Sequence, residues 1–333
     1  MSSALPATMR ALTIRERRLV MAALPVPTVA AGEVLVRVAY TGVNRADVLQ
    51  VEGSYAPPEG ASPLPGLEVS GSIAALGDGV TGWRVGEEVC ALLSGGGYAE
   101  YVAVPATQLL PLPTGVTLRE AASLPEAAAT AVMALVVEAN LAPGERVLLH
   151  GGTSGVGILM GQIARAMGAE VFATVGNAAK AALLAPLGIT PIRRDLGPFA
   201  DQLLAATGGA GVDVVIDTLG APHVASHFKL LRRGGRMVTL AMLDGNLLEP
   251  LKLSGFFMKN LRWSAATLRS QSPAAKEKIV AHARAQLWPH LVSGVIRPVI
   301  DSVFPWEEAE KAHQRMQERL HMGKILLEVQ PVP

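Results

Sequence analysis

The chain holds a single cysteine, Cys90, in 333 residues, which excludes a disulfide framework within one chain and any cysteine-rich zinc site. Aromatic residues make up only 4%, so the core must be built from Ala, Val, Leu and Ile. Neither sign of charge is in excess: 29 Lys+Arg stand against 28 Asp+Glu, a formal net charge of +1. That balance offers no electrostatic footprint for nucleic acid or an anionic membrane surface. Long hydrophobic runs are also missing. The most apolar stretch, Ala127 to Val137, is bracketed by Glu126 and Glu138 and falls short of the ~20 residues of a membrane span. The opening MSSALPATM has neither a basic nor an apolar signal region; it reads as a short disordered leader before Met9, on a cytoplasmic protein.

Half of the residues are hydrophobic, and 34 Gly and 23 Pro are dispersed along the chain, so many turns are expected. At roughly 150 residues per domain the length suggests about two domains. The first third carries short β-like runs between Gly and Pro: Val34 to Ala39, Glu68 to Ala75, Glu88 to Leu93 and Tyr98 to Val104. The texture changes near Pro125. Apolar strands are expected at Arg146 to His150, Glu170 to Val175, Pro191 to Arg194, Val212 to Asp217, Arg236 to Ala241 and Leu261 to Thr267. Helical segments between them, such as Val156 to Met167, imply a parallel sheet covered on both faces. Beyond it come a helix over Lys276 to Leu291, a strand over Pro298 to Phe304, an amphipathic segment Trp306 to Leu320 and a last strand Lys324 to Val329. The β-rich ends are expected to fold together around the α/β middle.

The strongest chemical signal is HGGTSGVG, His150 to Gly157, between a strand and a helix. Against the G-x-G-x-x-G fingerprint, Gly152 and Gly157 take the outer positions and Ser154 the middle one, with Gly155 beside it. The physical demand is a tight turn, close backbone approach to a pyrophosphate, and phosphate at a helix N-terminus. Ser154 is small enough for that approach and offers a hydroxyl donor. An NAD-preferring unit usually carries an acid ~20 residues further on, bonded to the ribose 2′-OH. Phe172 to Lys180 (FATVGNAAK) contains none. Gly176, Asn177 and Lys180 offer backbone, amide and cation instead, and Arg193 and Arg194 add positive charge, so NADPH is expected in preference to NADH.

Other chemistries find no support. There is no H-E-x-x-H and no G-x-S-x-G. His282 and His290 lie eight apart in a helical segment, where solvated or capping roles are expected, and His150 reads as structural. Cys90 reads as a small buried hydrophobe. No metal site is expected.

At this point the residues resemble the medium-chain dehydrogenase/reductase superfamily, in its zinc-free quinone oxidoreductase branch and especially its p53-inducible quinone oxidoreductase type. The resemblance runs from about Met9 to Val329. It is carried by TGVNRADVLQVEGSY (Thr41–Tyr55), PGLEVSG (Pro65–Gly71), CALLSGGGYAEYVAVP (Cys90–Pro105), the HGGTSGVG turn, TLRSQS (Thr267–Ser272), PHLVSG (Pro289–Gly294) and MGKILLEV (Met322–Val329). Zinc-containing relatives have Cys where this chain has Asn44 and His where it has Leu67, and the lobe of structural-zinc cysteines is missing.

The resemblance implies a GroES-like β-barrel catalytic domain, residues 1–127 and 271–333, into which an α/β Rossmann doubly wound parallel sheet, residues 128–270, is inserted. It places NADP in the cleft between them and implies a homodimer joined through the strands Arg236–Leu240 and Leu261–Thr267. Asn44 and Tyr55 would face nicotinamide and acceptor, and Thr130 would lie near the nicotinamide. Gly152, Ser154, Gly155, Val156 and Gly157 would hold the pyrophosphate, and Gly176, Asn177, Lys180 and Arg193 the 2′-phosphate. Ala241, Met242, Leu243, Phe256, Phe257 and Lys324 would line the rest of the cofactor cleft. The segment PEAAATAVMA has small side chains where relatives often have bulky ones, which widens the acceptor pocket.

The expected activity is NADPH-dependent reduction of quinones without metal, by hydride or single-electron transfer. Two alternatives stay open: an enone or enoyl-thioester reductase on the same fold, and a nucleotide-binding structural or RNA-binding protein. Nucleic acid and membrane are not expected partners.

Overall fold

The computed structural model describes residues 5–330, and the first four residues of the expected leader lie outside them. The chain forms two compact units, Met1–Ala129 with Arg269–Pro333, and Thr130–Leu268. These divisions fall two residues from those read off the sequence.

The first unit opens with a hairpin the sequence reading missed, β1 (Thr8–Arg15) and β2 (Arg18–Pro25). Ordered strand begins before Met9, whose side chain is buried. The connecting turn puts Glu16 and Arg17 at φ of 50° and 61°. Both central residues of a type I′ turn need positive φ, and Asn-Gly or Asp-Gly is its usual signature. Glu-Arg hides it. Next come β3 (Glu33–Val43), β4 (Glu68–Leu76), β5 (Glu88–Leu92), β6 (Tyr101–Pro105) and β7 (Leu109–Pro111). The strand expected from Tyr98 starts at Tyr101. Ahead of it, Gly97 and Tyr98 donate their amides to Gly66 and Pro65 carbonyls at 3.1 and 3.0 Å, which holds that backbone off the ladder.

In the second unit β8 (Arg146–Leu149), β9 (Glu170–Val175), β10 (Thr190–Arg193), β11 (Val212–Asp217), β12 (Leu231–Thr239) and β13 (Arg262–Ala265) form one sheet. Its order is β10-β9-β8-β11-β12-β13 and every pair is parallel. Counted within the sheet this is 3-2-1-4-5-6, the order of the dinucleotide-binding Rossmann fold. Leu148, Phe172, Val215 and Met237 pack in its core with Leu203 and Phe228 from the covering helices. β12 is paired on both sides, so the expected dimer edge is corrected: Arg236–Leu240 is interior strand, and only β13 can present that edge.

A buried polar cluster lies at the end of β8. His150 Nδ1 is hydrogen-bonded to Thr174 Oγ1 at 3.0 Å, and its Nε2 to His227 Nε2 at 2.9 Å. Phe199 packs edge-on against the His150 ring. Burial pushes both imidazoles toward the neutral form, His150 well below the usual range and His227 to about 3.

The chain then returns to the first unit. The single helix expected over Lys276 to Leu291 is two, Pro273–Gln286 and Trp288–Val292. The break falls before Pro289, which has no N–H to continue the ladder. β14 (Ile300–Pro305), the helix Ala309–Gln317 and β15 (Lys324–Glu328) follow. The completed sheet runs β14-β15-β3-β4-β5-β7, with β6 also on β3. Val36, Val69, Tyr98, Trp306 and Leu327 meet in its core, and the Tyr98 hydroxyl is hydrogen-bonded to His313 Nε2 at 3.0 Å. N- and C-terminal segments are thus one GroES-like fold. Among the described residues no helix is long and apolar enough to cross a membrane.

The histidine pair makes the second unit acid-sensitive. Between pH 6.5 and about 3 the unfolded chain binds a proton at His227 that the folded chain refuses, so stability falls as pH falls through that window. Across the whole window the loss is on the order of 5 kcal/mol for this residue alone. Urea unfolding followed from pH 7 to pH 4 should show the midpoint dropping, and H227Q should flatten the slope.

Candidate active site

In the first unit the site is built around a carboxylate. Glu68 opens β4 and is fully buried. Its carboxylate fits beside β3 because residue 42 is glycine; a Cβ there would overlap Glu68 Oε1. Oε1 accepts from Asn44 Nδ2 at 3.0 Å and pairs with the Lys324 ammonium. Oε2 accepts from the Glu126 backbone N–H at 2.9 Å, one of the donors that a helix start leaves unsatisfied. Lys324, at the head of β15, also donates to Asn44 Oδ1 at 2.7 Å. The Asn44 amide is therefore held from both ends.

Asn44 caps the helix Arg45–Val51. Its N–H donates to Asp47 Oδ2, while Asp47 Oδ1 accepts from Gly66 N–H, both at 2.8 Å. Complete burial nevertheless raises the Asp47 carboxyl to about 6, the two amides only partly opposing it. Burial, and then the Glu68 charge, push the Glu126 carboxyl up to about 8. Tyr55 follows the helix and is half-buried; burial raises its phenol, and the nearby Arg269 charge opposes the shift. The Arg269 guanidinium lies over its ring at 5.6 Å. The first unit thus joins Asn44 directly to Lys324 and places Tyr55 under a cation. Lys324, expected to line the cofactor cleft, has its charge committed to Glu68.

In the second unit the Gly-rich turn follows β8. A Cβ at Gly152 would stand 2.6 Å from Ala173 Cβ, and one at Gly157 would overlap the Gly151 carbonyl. Only glycine fits either position. Ser154 caps the helix Gly155–Ala166: its Oγ accepts from Gly157 N–H at 3.0 Å and donates to Gly151 O at 2.8 Å. The hydroxyl read from the sequence as a phosphate donor is therefore spent on the turn. Gly155 and Val156 keep first-turn amides that the helix does not satisfy.

Beyond β9, nothing stands within 4 Å of a Cβ built on Gly176, so the backbone is open to approach. Asn177 Oδ1 accepts from Lys180 N–H at 3.0 Å as the next helix cap. Arg193 is paired with Asp195 at 2.6 Å and Arg194 with Asp244 at 3.3 Å, so neither is the free cation that the sequence suggested. Ala241, Met242 and Leu243 lie in the turn after β12, where Leu243 N–H donates to Thr218 O at 3.1 Å. Phe256 packs on Phe228 with ring centroids 5.1 Å apart, Phe257 is largely exposed, and Thr130 ends the helix Pro125–Ala131 half-buried.

Sequence reasoning missed Glu68, Asp47, Glu126, Arg269 and Lys276. Glu68 in PGLEVSG, Glu126 in SLPEAAA and Arg269 in TLRSQS are lone charges in their motifs, and that isolation is the usable signal, whereas Asp47 and Lys276 lie close to other charges and carry no such mark. It missed one more group. Among the described residues, His150, Asp217 and His227 bring one potential metal-binding atom each within 4.8 Å of one another. Those atoms already serve the fold, since the imidazoles bond each other and Asp217 Oδ1 accepts from the Leu219 and Gly220 amides.

Two family models match the chain: an alcohol dehydrogenase GroES-like domain over residues 30–114 and a zinc-binding dehydrogenase over residues 155–283. The human synaptic vesicle membrane protein VAT-1 homolog is 33% identical over 324 residues, covering 90% of this chain and 80% of that protein. A mycocerosic acid synthase-like polyketide synthase of Mycobacterium tuberculosis is 33% identical over 302 residues, 90% of this chain. The chain spans only 14% of that synthase's length. Among solved structures, an NAD-dependent alcohol dehydrogenase superposes with TM-score 0.85 at 29% identity, over 97% of this chain and 100% of that one. CurK enoyl reductase gives 0.84 at 29%, over 96% and 99%. Mycobacterial Rv1454c complexed with NADPH gives 0.84 at 27%, over 96% and 100%. The chain belongs to the medium-chain dehydrogenase/reductase superfamily.

The zinc in one of those family descriptions does not fit the residues of the first unit. Asn44 turns its oxygen to an ammonium, Leu67 is a buried hydrocarbon, and the Cys90 thiol is fully buried with its pKa pushed upward.

The ion pair around Glu68 is testable. K324M leaves a buried carboxylate without its cation and should cost about 3–5 kcal/mol. Urea denaturation reads the loss, and adding E68Q should restore part of it.

Proposed function

We propose that the protein is an NADPH-dependent oxidoreductase that reduces quinones without a metal. The observation that carries this reading is the pairing of a phosphate-type turn with a metal-incompatible acceptor wall: free Gly155 and Val156 amides in one unit, and Asn44 locked between Lys324 and Glu68 in the other. The missing acid after β9 and the Lys180 cation favour a 2′-phosphate. A neighbour determined with NADPH supports the same choice.

When bound, the dinucleotide supplies the hydride. The chain's own part is to cradle the pyrophosphate on backbone amides and the helix N-terminus. A quinone oxygen gains negative charge as it is reduced, and the donors that stabilise it are the Tyr55 hydroxyl and the second Nδ2–H of Asn44, released from its long 3.5 Å contact with Gly42 O. Solvent or the Tyr55 hydroxyl returns the proton. Because Glu68 and Lys324 fix the Asn44 amide beforehand, little reorganisation is required at that donor. The protein acts as a homodimer, with the β13 edge as the joining strand.

Polyketide synthases among the relatives and CurK enoyl reductase among the structures favour a second reading, reduction of an enone or enoyl-thioester. There the Tyr55 hydroxyl gives its proton to the substrate α-carbon.

A panel of ortho- and para-quinones and enones, assayed by loss of NADPH or NADH absorbance, separates the two. Quinone turnover with NADPH is expected, and turnover of enones alone would overturn the quinone reading. Y55F should lower kcat by about tenfold or more while NADPH binding persists. K180A should cut the NADPH-over-NADH preference by about tenfold.

A further inference from the structure

A cavity of about 450 Å³ in the first unit is within the range of small-ligand sites. Leu64, Leu92 and Val102 give it apolar walls, while Ser62, Arg269 and Lys276 contribute polar atoms. Arg269 and Lys276 are each only 3% exposed. Arg269 donates from Nε to Ser94 O at 2.9 Å and from Nη2 to Gln50 Oε1 at 2.7 Å. Its Nη1 is buried without any partner. Lys276 Nζ donates to Ser94 Oγ at 2.5 Å and Arg269 O at 2.7 Å. Every one of these acceptors is neutral. Among the described residues no carboxylate stands within ion-pair distance of either cation.

Buried charges are ordinarily paired, since an unpaired one costs several kcal/mol. The acids that reach these cations do so only at longer range. Asp47 has its two oxygens on the Gly66 and Asn44 amides, and burial with the Glu68 charge pushes the Glu126 carboxyl toward its neutral form. Glu59 belongs to the exposed rim of the cavity. Two buried cations, one with an N–H to spare, have only neutral groups as their hydrogen-bond partners.

We propose that this cavity holds a carboxylate or phosphate group carried by the acceptor, with Arg269 and Lys276 as its counter-ions. A guanidinium and an ammonium beside an apolar wall match an amphiphilic molecule with one anionic end. The link to the acceptor is Arg269 itself, which lines the cavity and lies over the Tyr55 ring. This rests on the reading of Tyr55 as an acceptor-binding residue. Arg269 and Lys276 then select among acceptors rather than perform the reduction.

Two measurements on the full chain test it. Isothermal titration of the wild-type protein with inorganic phosphate and with benzoate should show saturable binding of at least one, and the comparison tells phosphate from carboxylate recognition. R269Q and K276Q, checked for folding by thermal unfolding, should each weaken that binding about tenfold or more. In the second measurement, a quinone is compared with its analogue bearing a carboxylated or phosphorylated side chain. The anionic analogue should have a kcat/KM at least about tenfold higher, through KM. That ratio should collapse in R269Q and recover in part in R269K. Absence of saturable binding by the wild type overturns the proposal without any variant, and so does binding that survives both substitutions. Binding with an unchanged ratio overturns the assignment of the anion to the acceptor. If no quinone is turned over but phosphate or benzoate binds and is lost in the variants, the quinone reading fails and the anion site stands.

Discussion

A single buried carboxylate organises the first unit. Glu68 is withdrawn from water, so each of its oxygens must be met by a donor inside the protein. The donors come from three separate places: Asn44 at a helix start, Lys324 on the C-terminal strand, and the Glu126 amide at the entry to another helix. Asn44 and Lys324 are 280 positions apart in sequence. Their shared carboxylate is thus a lock between the two chain segments that flank the inserted Rossmann unit, and β15 beside β3 supplies the ladder that carries it. The absence of a side chain at Gly42 makes room for the lock. It also settles the Asn44 amide chemically, because a reversed amide would point its NH2 at an ammonium and its oxygen at a carboxylate.

The Rossmann unit solves its polar problem without charge. Beneath the Gly-rich turn the two imidazoles are neutral, hydrogen-bonded to each other and to Thr174, and roofed by Phe199. Ser154 spends its hydroxyl on holding the turn closed. The attraction for phosphate is left to backbone N–H groups and the helix dipole, which need no counter-ion. Two arginines that seemed to add to that attraction are each matched by an aspartate. The proposed preference for a 2′-phosphate therefore leans on Lys180 and on the absence of an acid after β9 more than on Arg193.

How far the sequence revealed this follows the range of the interactions. The strands β9 and β11 coincide with the runs Glu170 to Val175 and Val212 to Asp217, because a fully buried parallel strand is a continuous apolar run. The βα turn was legible because close approach demands glycine at fixed spacing. The β1–β2 hairpin was not, since its turn residues are Glu16 and Arg17 rather than Asn-Gly. The contacts around Asn44 and Tyr55 were invisible for a different reason. Glu68 finds Lys324, and Gln50 finds Arg269, only after the sheet has closed, and no local pattern encodes a partner more than 200 residues away. Asn44 was recognised as a site residue, but the pair that orients it was not.

Charge balance in this interior has a chemical consequence. Of the three buried cations Lys324, Arg269 and Lys276, Lys324 is ion-paired with Glu68, whereas the hydrogen bonds of Arg269 and Lys276 go to neutral oxygens. Their positive charge lies away from water, where a fixed charge acts most strongly. Reduction of an acceptor carbonyl generates negative charge on oxygen. On the proposed function, fixed positive charge behind Asn44 and Tyr55 favours that oxygen. A lysine ammonium stands behind the Asn44 amide and a guanidinium over the Tyr55 ring, so in the proposed reaction positive charge acts on the acceptor through these two side chains.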